Sequence, residues 1–179
     1  MCIRDSSVSN GTERGNYLFS VGYKDTEGIL KYTDFNSVSA RMNSSFNLFK
    51  DIVVIGENFT TSYTTQVDAP GSLTERALKM QPILPVHGED GSWGGCIGGM
   101  PDRDNPLREL TDGKENRAHI WRVFGNAYID IKPVKGLLIR SNFGIDFDTY
   151  YKRTLNHYYK FEKKAVSYTH LTLPTILRV

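Results

Sequence analysis

The most regular feature of the chain is an alternation of apolar and polar residues between positions 35 and 63. From Val38 to Leu48 every second residue is apolar or small, and the residues between them are polar. The alternation resumes after Lys50 and Asp51 and continues to Tyr63. A period of two is typical of a strand with one apolar and one polar face. This stretch therefore predicts two strands joined by a tight turn.

The same alternation recurs along the chain and predicts about five long strands in an antiparallel meander. Their expected bounds are 15–24, 34–49, 52–66, 116–131 and 137–150. Strands of a dozen or more residues are long for a soluble domain, where strands usually have about 5–6 residues. Long, half-apolar strands suit a barrel wall with lipid on one side and water on the other. We therefore predict an all-β fold: a transmembrane β-barrel fragment that forms a curved, partly open sheet.

The longest interruption of the pattern covers residues 67–115. Within it, residues 72–75 have the Ser-x-x-Glu form of a capping box, which predicts a short helix from Leu73 to Met80. So long a loop is uncommon in a compact soluble domain. In a membrane barrel, long outer loops alternate with short inner turns, and turns at 50–51 and 133–136 would share the inner end. The segment 67–115 is thus expected to be an extracellular loop.

The two ends of the chain, residues 1–6 and 166–179, do not continue the alternation beside them. Both resemble translated sequencing-adapter read-through, and we expect them to be artefacts that take no part in the fold. On this interpretation, residues 7–165 are an internal stretch of a longer barrel domain.

The composition argues against several classes of function. A formal net charge of +2 without a basic stripe gives no reason to expect a nucleic-acid partner. Cys2, Cys96 and four scattered histidines provide neither a disulfide framework nor ligand spacing, so we expect no metal and no cofactor. No phosphate loop, Gly-x-Ser-x-Gly or His-Glu-x-x-His motif is present, and we predict that the chain is not an enzyme.

The long loop contains one candidate cation site. Four acidic residues there could offer oxygen ligands to calcium: Glu89, Asp90, Asp102 and Asp104. Their spacing fits no EF-hand loop, and solvated turn residues are the favoured interpretation.

Several short segments follow one another in an order and spacing that carry a family resemblance. They are SVSNGTE at 7–13 with NY at 16–17, VGY at 21–23 with EGI at 27–29, SARMN at 39–43, QPILPV at 81–86 with DGSWGG at 90–95, and KPVKGL at 132–137. Together they resemble the SusC/RagA family of TonB-linked outer-membrane transporters, over residues 7–151. The family usually has two glycines where this chain has Asn10 and Gly11.

The resemblance implies properties of a whole transporter. Members have barrels of about 22 strands whose lumen is blocked by an N-terminal plug that carries the TonB-contacting box. A SusD-like surface lipoprotein covers the barrel, and the complex imports glycans or peptides, driven by the TonB complex. On this basis we expect a multi-pass β-barrel in the outer membrane of a Gram-negative bacterium of the Bacteroidetes type. The present stretch resembles the first barrel strands, without the plug or its TonB box.

Candidate contact residues lie on the predicted lumen face and in the loops. The alternation places eight polar residues on the lumen face: Arg41, Asn43, Asn58, Arg122, Asn126, Arg140, Asn142 and Asp146. We single out Arg41, Arg122 and Arg140, with the aromatic residues Trp93 and Tyr151, as candidates for contact with substrate or partner. The alternative is structural: barrel interiors are polar regardless of cargo, and Tyr and Trp also form belts at the membrane interface.

A soluble or secreted all-β carbohydrate-binding module is the alternative function. The environment of the outward apolar face distinguishes the two hypotheses. A sandwich buries that face against a second sheet, whereas a barrel exposes it to lipid between aromatic belts.

Overall fold

The computed structural model describes residues 1–49, 52–95, 105–155, 157, 159–161, 164–166 and 175–178. In chain order the elements are β1 (Cys2–Thr12), β2 (Gly15–Glu27), β3 (Asp34–Leu48), β4 (Val53–Val67), α1 (Leu73–Lys79), α2 (Pro106–Gly113), β5 (Arg117–Ile131), β6 (Ile139–Lys152), β7 (Tyr159–Phe161), β8 (Lys164–Val166) and β9 (Thr175–Arg178). The strands β1 to β6 are long, and each pairs antiparallel with the next along the chain.

The long strands form an unclosed meander. The sheet has the order β1-β2-β3-β4-β5-β6-β9, while β7 and β8 form a separate pair. The fold prediction is confirmed: five of the six long strands, β2 to β6, were expected with bounds that differ by at most a few residues. Strand β1 was not expected, because its sequence is polar and shows little alternation.

Strand β1 begins inside segment 1–6, and β9 lies inside segment 166–179, most of which is outside the described residues. The artefactual origin of these two segments stays a prediction.

The strand register gives the sheet two faces of opposite character. Residues directly opposite each other on antiparallel strands point to the same side, so the pairing defines rows that cross the sheet. One row on the apolar face joins Phe19, Met42, Phe59, Gly125 and Ile145. The adjacent row on the polar face joins Leu18, Asn43, Asn58, Asn126 and Gly144. All eight residues predicted to share the lumen face lie on this polar face.

Three cross-strand contacts between an aromatic ring and a glycine lock the register. The ring of Phe46 covers Gly15, that of Phe59 packs against Gly125, and that of Tyr128 covers Gly56. A Cβ on Gly56 would lie 2.3 Å from Tyr128, so the ring occupies the space that a side chain would need. Such contacts pin strand pairing because a slipped register would lose them.

The β1–β2, β3–β4 and β5–β6 connections lie at one end of the sheet, and the short β2–β3 connection lies at the other. The predicted turn at Lys50 and Asp51 lies outside the described residues. Beside it, the Lys132 N–H donates to the carbonyl of Ile52 over 2.7 Å. The β5–β6 turn closes through a 3.2 Å bond from the Leu137 N–H to the Val134 carbonyl, with Gly136 at φ +89°. That left-handed backbone suits glycine, which has no Cβ to clash.

The long connection at the other end contains two helices. Helix α1 confirms the predicted short helix, but Ser72 has φ 63° and its side chain makes no capping hydrogen bond. Helix α2 was not expected. Its cap is Asn105, whose side chain accepts from the Leu107 and Arg108 N–H groups, and Pro106 fits the first turn because no N–H is needed there. No helix in the described part of the chain is long and apolar enough to cross a membrane.

The buried apolar side chains lie near the loop end of the sheet. Among the described residues they are Val67, Leu73 and Ala118, at the junction of β4, α1 and β5. Large apolar side chains on the middle of the sheet remain exposed, including Phe46, Phe143 and Ile145. The apolar face in the middle of the sheet is therefore uncovered among the described residues.

Candidate functional site

The polar face of β3 to β6 brings together the three arginines predicted as contact residues. Arg41 extends from β3, Arg122 from β5 and Arg140 from β6, each at a position that alternation assigned to this side. The register places them at three different heights along the strands. They therefore occupy one surface without forming a single cluster.

Arg140 is fixed by Asp130 of the neighbouring strand. Its Nε and Nη2 donate to the two carboxylate oxygens of Asp130 over 2.6 and 2.7 Å. The guanidinium also lies 5.2 Å from the centroid of the Tyr128 ring. A bidentate pair with an aromatic contact holds both side chains in one geometry, so Arg140 serves the wall itself.

Arg122 also forms an ion pair with an acid on the neighbouring strand, at a longer distance than Arg140 does. Its Nε donates to Asp148 over 3.1 Å, and both side chains are well exposed to solvent. Between this pair and Arg140, three asparagines form an amide ladder across β4, β5 and β6. Asn58 donates to Asn126 over 3.2 Å, and Asn126 donates to Asn142 over 2.9 Å. Amide groups at both ends of this ladder keep hydrogen-bonding capacity for a ligand.

Arg41 differs from the other two arginines. It lies in a row that joins Ser20, Arg41, Thr60, Phe124 and Asp146, one residue from each of β2 to β6; we call it the Phe124 row. Arg41 and Asp146 are exposed, and neither has an ion-pair partner among the described residues. Phe124 exposes 64% of its surface on this polar side.

The apolar face carries an aromatic row near the loop end of the sheet. Tyr23, Val38, Tyr63, Trp121 and Thr149 are paired across β2 to β6. The next row contains His119 and Tyr151; the Tyr63 hydroxyl hydrogen-bonds to His119 Nδ1 over 2.7 Å. Beyond it, Arg117 donates to Asp34 over 2.6 Å. The face thus passes from apolar through aromatic to charged groups toward the long loop.

The end of β6 differs from expectation. Tyr151, expected in a loop, lies within β6 on the apolar face, with its ring centroid 6.2 Å from that of His119. Tyr150 lies opposite Ile120 on the polar face. The cause is that β6 extends to Lys152, so strict alternation decides the side each residue takes.

Trp93 lies in a small hairpin within the long loop. The hairpin is held by hydrogen bonds between the Gly94 N–H and the Val86 carbonyl and between the Gly88 N–H and the Ser92 carbonyl. The ring of Trp93 stacks on His87 with centroids 4.6 Å apart. Trp93 is half-buried and remote from the three arginines in the chain topology, so the structure does not gather the five predicted residues into one site.

Asn105 connects this hairpin to helix α2. Only 3% of its surface is exposed, and its amide donates to the carbonyls of Val86 and Gly94 over 3.0 and 3.1 Å. The same side chain caps α2. One buried amide therefore sets the position of Trp93 relative to the helices.

A charged cleft that the sequence did not predict lies between the helices and the end of β6. Its volume is about 430 Å³, and its lining includes Asp68, Arg76, Glu109 and Lys152. Arg76 pairs with Glu109 across the two helices, and Arg108 pairs with Asp112 over 2.7 Å. The Asn105-Pro106 dipeptide, a cap followed by a first-turn proline, was the sequence signal that could have revealed α2 and this cleft.

The described residues contain no group of three or more histidines, cysteines or acids arranged to hold a metal ion. Two of the four loop acids considered for calcium, Asp102 and Asp104, lie outside the described residues, as does Cys96.

Comparison with known proteins supplies family evidence. No protein-family model matches the chain. A TonB-dependent receptor of Formosa agariphila, P26, is 30% identical over 148 residues, which is 80% of this chain and 14% of that protein. A second receptor of that organism, P39, is 28% identical over 143 residues, 79% of this chain and 13% of the relative. The chain thus spans about one seventh of the length of these relatives.

TonB-dependent receptors are transporters and not enzymes, which agrees with the expectation that the chain is not catalytic. The two matches cover most of this chain, and its unclosed all-β meander is consistent with part of a β-barrel. Over most of its length, this chain is therefore similar to one part of the TonB-dependent receptors P26 and P39.

Proposed function

We propose that this chain forms part of the wall of a TonB-dependent outer-membrane transporter of the SusC/RagA type. In this proposal the apolar face contacts lipid and the polar face lines the lumen. The observation that carries it is the graded apolar face, which passes from exposed aliphatic residues through the Tyr63 and Trp121 row to the Arg117–Asp34 pair. That order matches the passage from hydrocarbon through the interface to water.

The height of the apolar band supports this orientation. From Val38 to Leu48 the face extends along the strand for about 33 Å, at about 3.3 Å per residue. With a strand tilt of about 40°, its height across the membrane is about 25 Å, which is the apolar height of membrane β-barrels. Within the part of the band formed by β2 to β6, Glu57 is charged, and it accepts a 3.2 Å hydrogen bond from Ser44. Arg4 of β1 is paired with Tyr23 at the edge of the band.

The partners follow from the same proposal. The long loop, with α1, α2 and the Trp93 hairpin, lies at the end of the sheet where the aromatic row is, so it would face outward. A SusD-like lipoprotein would contact this loop, and glycan or peptide cargo would pass the polar face. The TonB complex would act through the plug of the whole protein.

The two tryptophans of the chain offer a direct test of the orientation, because Trp121 lies on the apolar face and Trp93 in the loop. The chain is purified in micelles of dodecyl maltoside or of its dibrominated analogue, in which bromine quenches fluorescence on contact. Trp93→Phe leaves only Trp121, and Trp121→Phe leaves only Trp93. We expect strong quenching of Trp121 and little of Trp93, with the reverse order for aqueous iodide.

A soluble carbohydrate-binding module would behave differently. It would remain monodisperse without detergent, and Trp121 would be protected from both quenchers by a covering layer. That result would refute the lipid-facing assignment. Transport itself is tested in the source organism: deletion of the full reading frame should abolish uptake of one class of oligosaccharide or peptide, and unchanged uptake would contradict the proposal.

A further inference from the structure

The Phe124 row combines features that the rest of the polar face does not. Arg41 and Asp146 stand at its two sides, Phe124 lies between them, and Thr60 separates Arg41 from the ring. With strands about 4.8 Å apart, the three spacings from β3 to β6 put the two charged residues about 14 Å apart. They form no ion pair with each other or with any other described residue.

Elsewhere on this face, opposite charges on neighbouring strands are paired. Arg122 pairs with Asp148 and Arg140 with Asp130, both across β5 and β6. A basic residue at position 124 could have paired with Asp146 in the same way, but the residue opposite Asp146 is Phe124. The result is a cation and an anion held apart by an exposed aromatic ring. This pattern is complementary to a ligand that carries a negative charge at the Arg41 end and a positive charge at the Asp146 end.

We propose that the Phe124 row binds a short peptide with free termini, its carboxylate at Arg41, its apolar side chains on Phe124 and its ammonium group at Asp146. The inference rests on the proposed transporter function and names peptide as the cargo class. An extended residue spans about 3.3–3.6 Å, so a gap of about 14 Å fits about four residues. The amide ladder of Asn58, Asn126 and Asn142, in adjacent rows, offers donors and acceptors to the peptide backbone.

The charge pattern favours a peptide over a neutral sugar. A guanidinium binds a carboxylate through charge-assisted hydrogen bonds, and a carboxylate binds an ammonium group in the same way. A neutral oligosaccharide could stack on Phe124 but offers neither charge. It would leave both Arg41 and Asp146 without a group of opposite charge to bind.

Calorimetric titration of the full chain in dodecyl maltoside micelles tests the assignment. The probe is the tetrapeptide Ala-Leu-Leu-Ala with free termini, compared with a form acetylated at the N-terminus only, a form amidated at the C-terminus only, and maltotetraose. We expect the free peptide to bind, and blocking of either terminus to weaken binding by about tenfold or more, as for loss of a charge-assisted hydrogen bond. Arg41→Gln and Asp146→Asn should each have a similar effect.

Charge reversal distinguishes binding from a structural role. Arg41→Asp and Asp146→Arg should each abolish binding alone, whereas the double variant should restore it, because the peptide can bind in the opposite direction. Arg14→Gln and Glu27→Gln, exposed and outside the row, serve as matched controls and should leave the affinity unchanged. Near-ultraviolet circular dichroism confirms that each variant keeps its fold.

Equal binding of the free and the blocked peptide would overturn the inference. So would binding of maltotetraose that requires Phe124 but neither charge. Failure of the inference is separable from failure of the proposed function: strong quenching of Trp121 by brominated detergent without peptide binding would refute only the peptide site.

Discussion

The contact between Tyr128 and Gly56 allows a prediction in which one substitution has opposite effects in two backgrounds. A Cβ on Gly56 would lie 2.3 Å from the ring of Tyr128, so Gly56→Ala forces the ring to move. Overpacking of this kind costs about 1–3 kcal/mol. In a Tyr128→Ala background the space is free, and the same substitution should stabilise by about 0.5–1 kcal/mol, because glycine within a strand is unfavourable.

The two effects differ in sign, so the coupling free energy between positions 56 and 128 should be about 1.5–4 kcal/mol. Equilibrium unfolding by urea in detergent, followed by Trp121 fluorescence, measures all four proteins of the cycle. Gly144→Ala is the matched control on the same face, because its Cβ would meet only the Gly125 carbonyl, at 3.8 Å. It should be neutral or slightly stabilising in both backgrounds. An equal loss of stability from Gly56→Ala in both backgrounds would refute the ring-over-glycine contact.

Two further predictions concern the loop and the apolar face. Asn105→Ala removes the cap of α2 and two bonds to the hairpin, so we expect about 1–2 kcal/mol of local destabilisation and faster proteolysis within residues 68–116, while the sheet stays intact. Asn10→Ala, in β1, is the control; equal proteolysis of both variants would contradict the assigned role. Glu57→Leu should raise stability in detergent, since it removes a charge from the apolar band. If Glu57→Leu leaves stability in detergent unchanged or lowers it, the face is not lipid-facing.

The sequence predicted the strands because alternation is a local property. From Phe35 to Tyr63 each residue's side of the sheet follows from its neighbours, and Arg41 and Asn58 lie on the predicted side for that reason. Strand β1 was not predicted because it has no apolar face of its own and is a strand through its pairing with β2. Helix α2 escaped because a cap and a proline are weak signals within a glycine-rich stretch.

The candidate site was less accessible from sequence than the fold. Whether an arginine is paired depends on register, which the sequence does not state: Arg140 meets Asp130, whereas Arg41 meets Thr60. The placement of Tyr151 on the sheet has a related cause, since it depends on where β6 ends. Arg122 and Arg140 each contact an acid on the neighbouring strand, whereas Arg41 does not. The contact across strands, and not the residue type, therefore distinguishes the structural arginines from the proposed ligand-binding one.

The long connection between β4 and β5 joins two strands that lie side by side. The entropy of closing a loop grows only with the logarithm of its length, so a doubling of this loop would cost about 0.6 kcal/mol. The ring–glycine contacts that fix the register lie in the strands and do not depend on it. Insertions and exchanges of the segment between Val67 and Arg117 can therefore accumulate over evolution at little energetic cost. Related proteins that share these strands can thus present different outer surfaces.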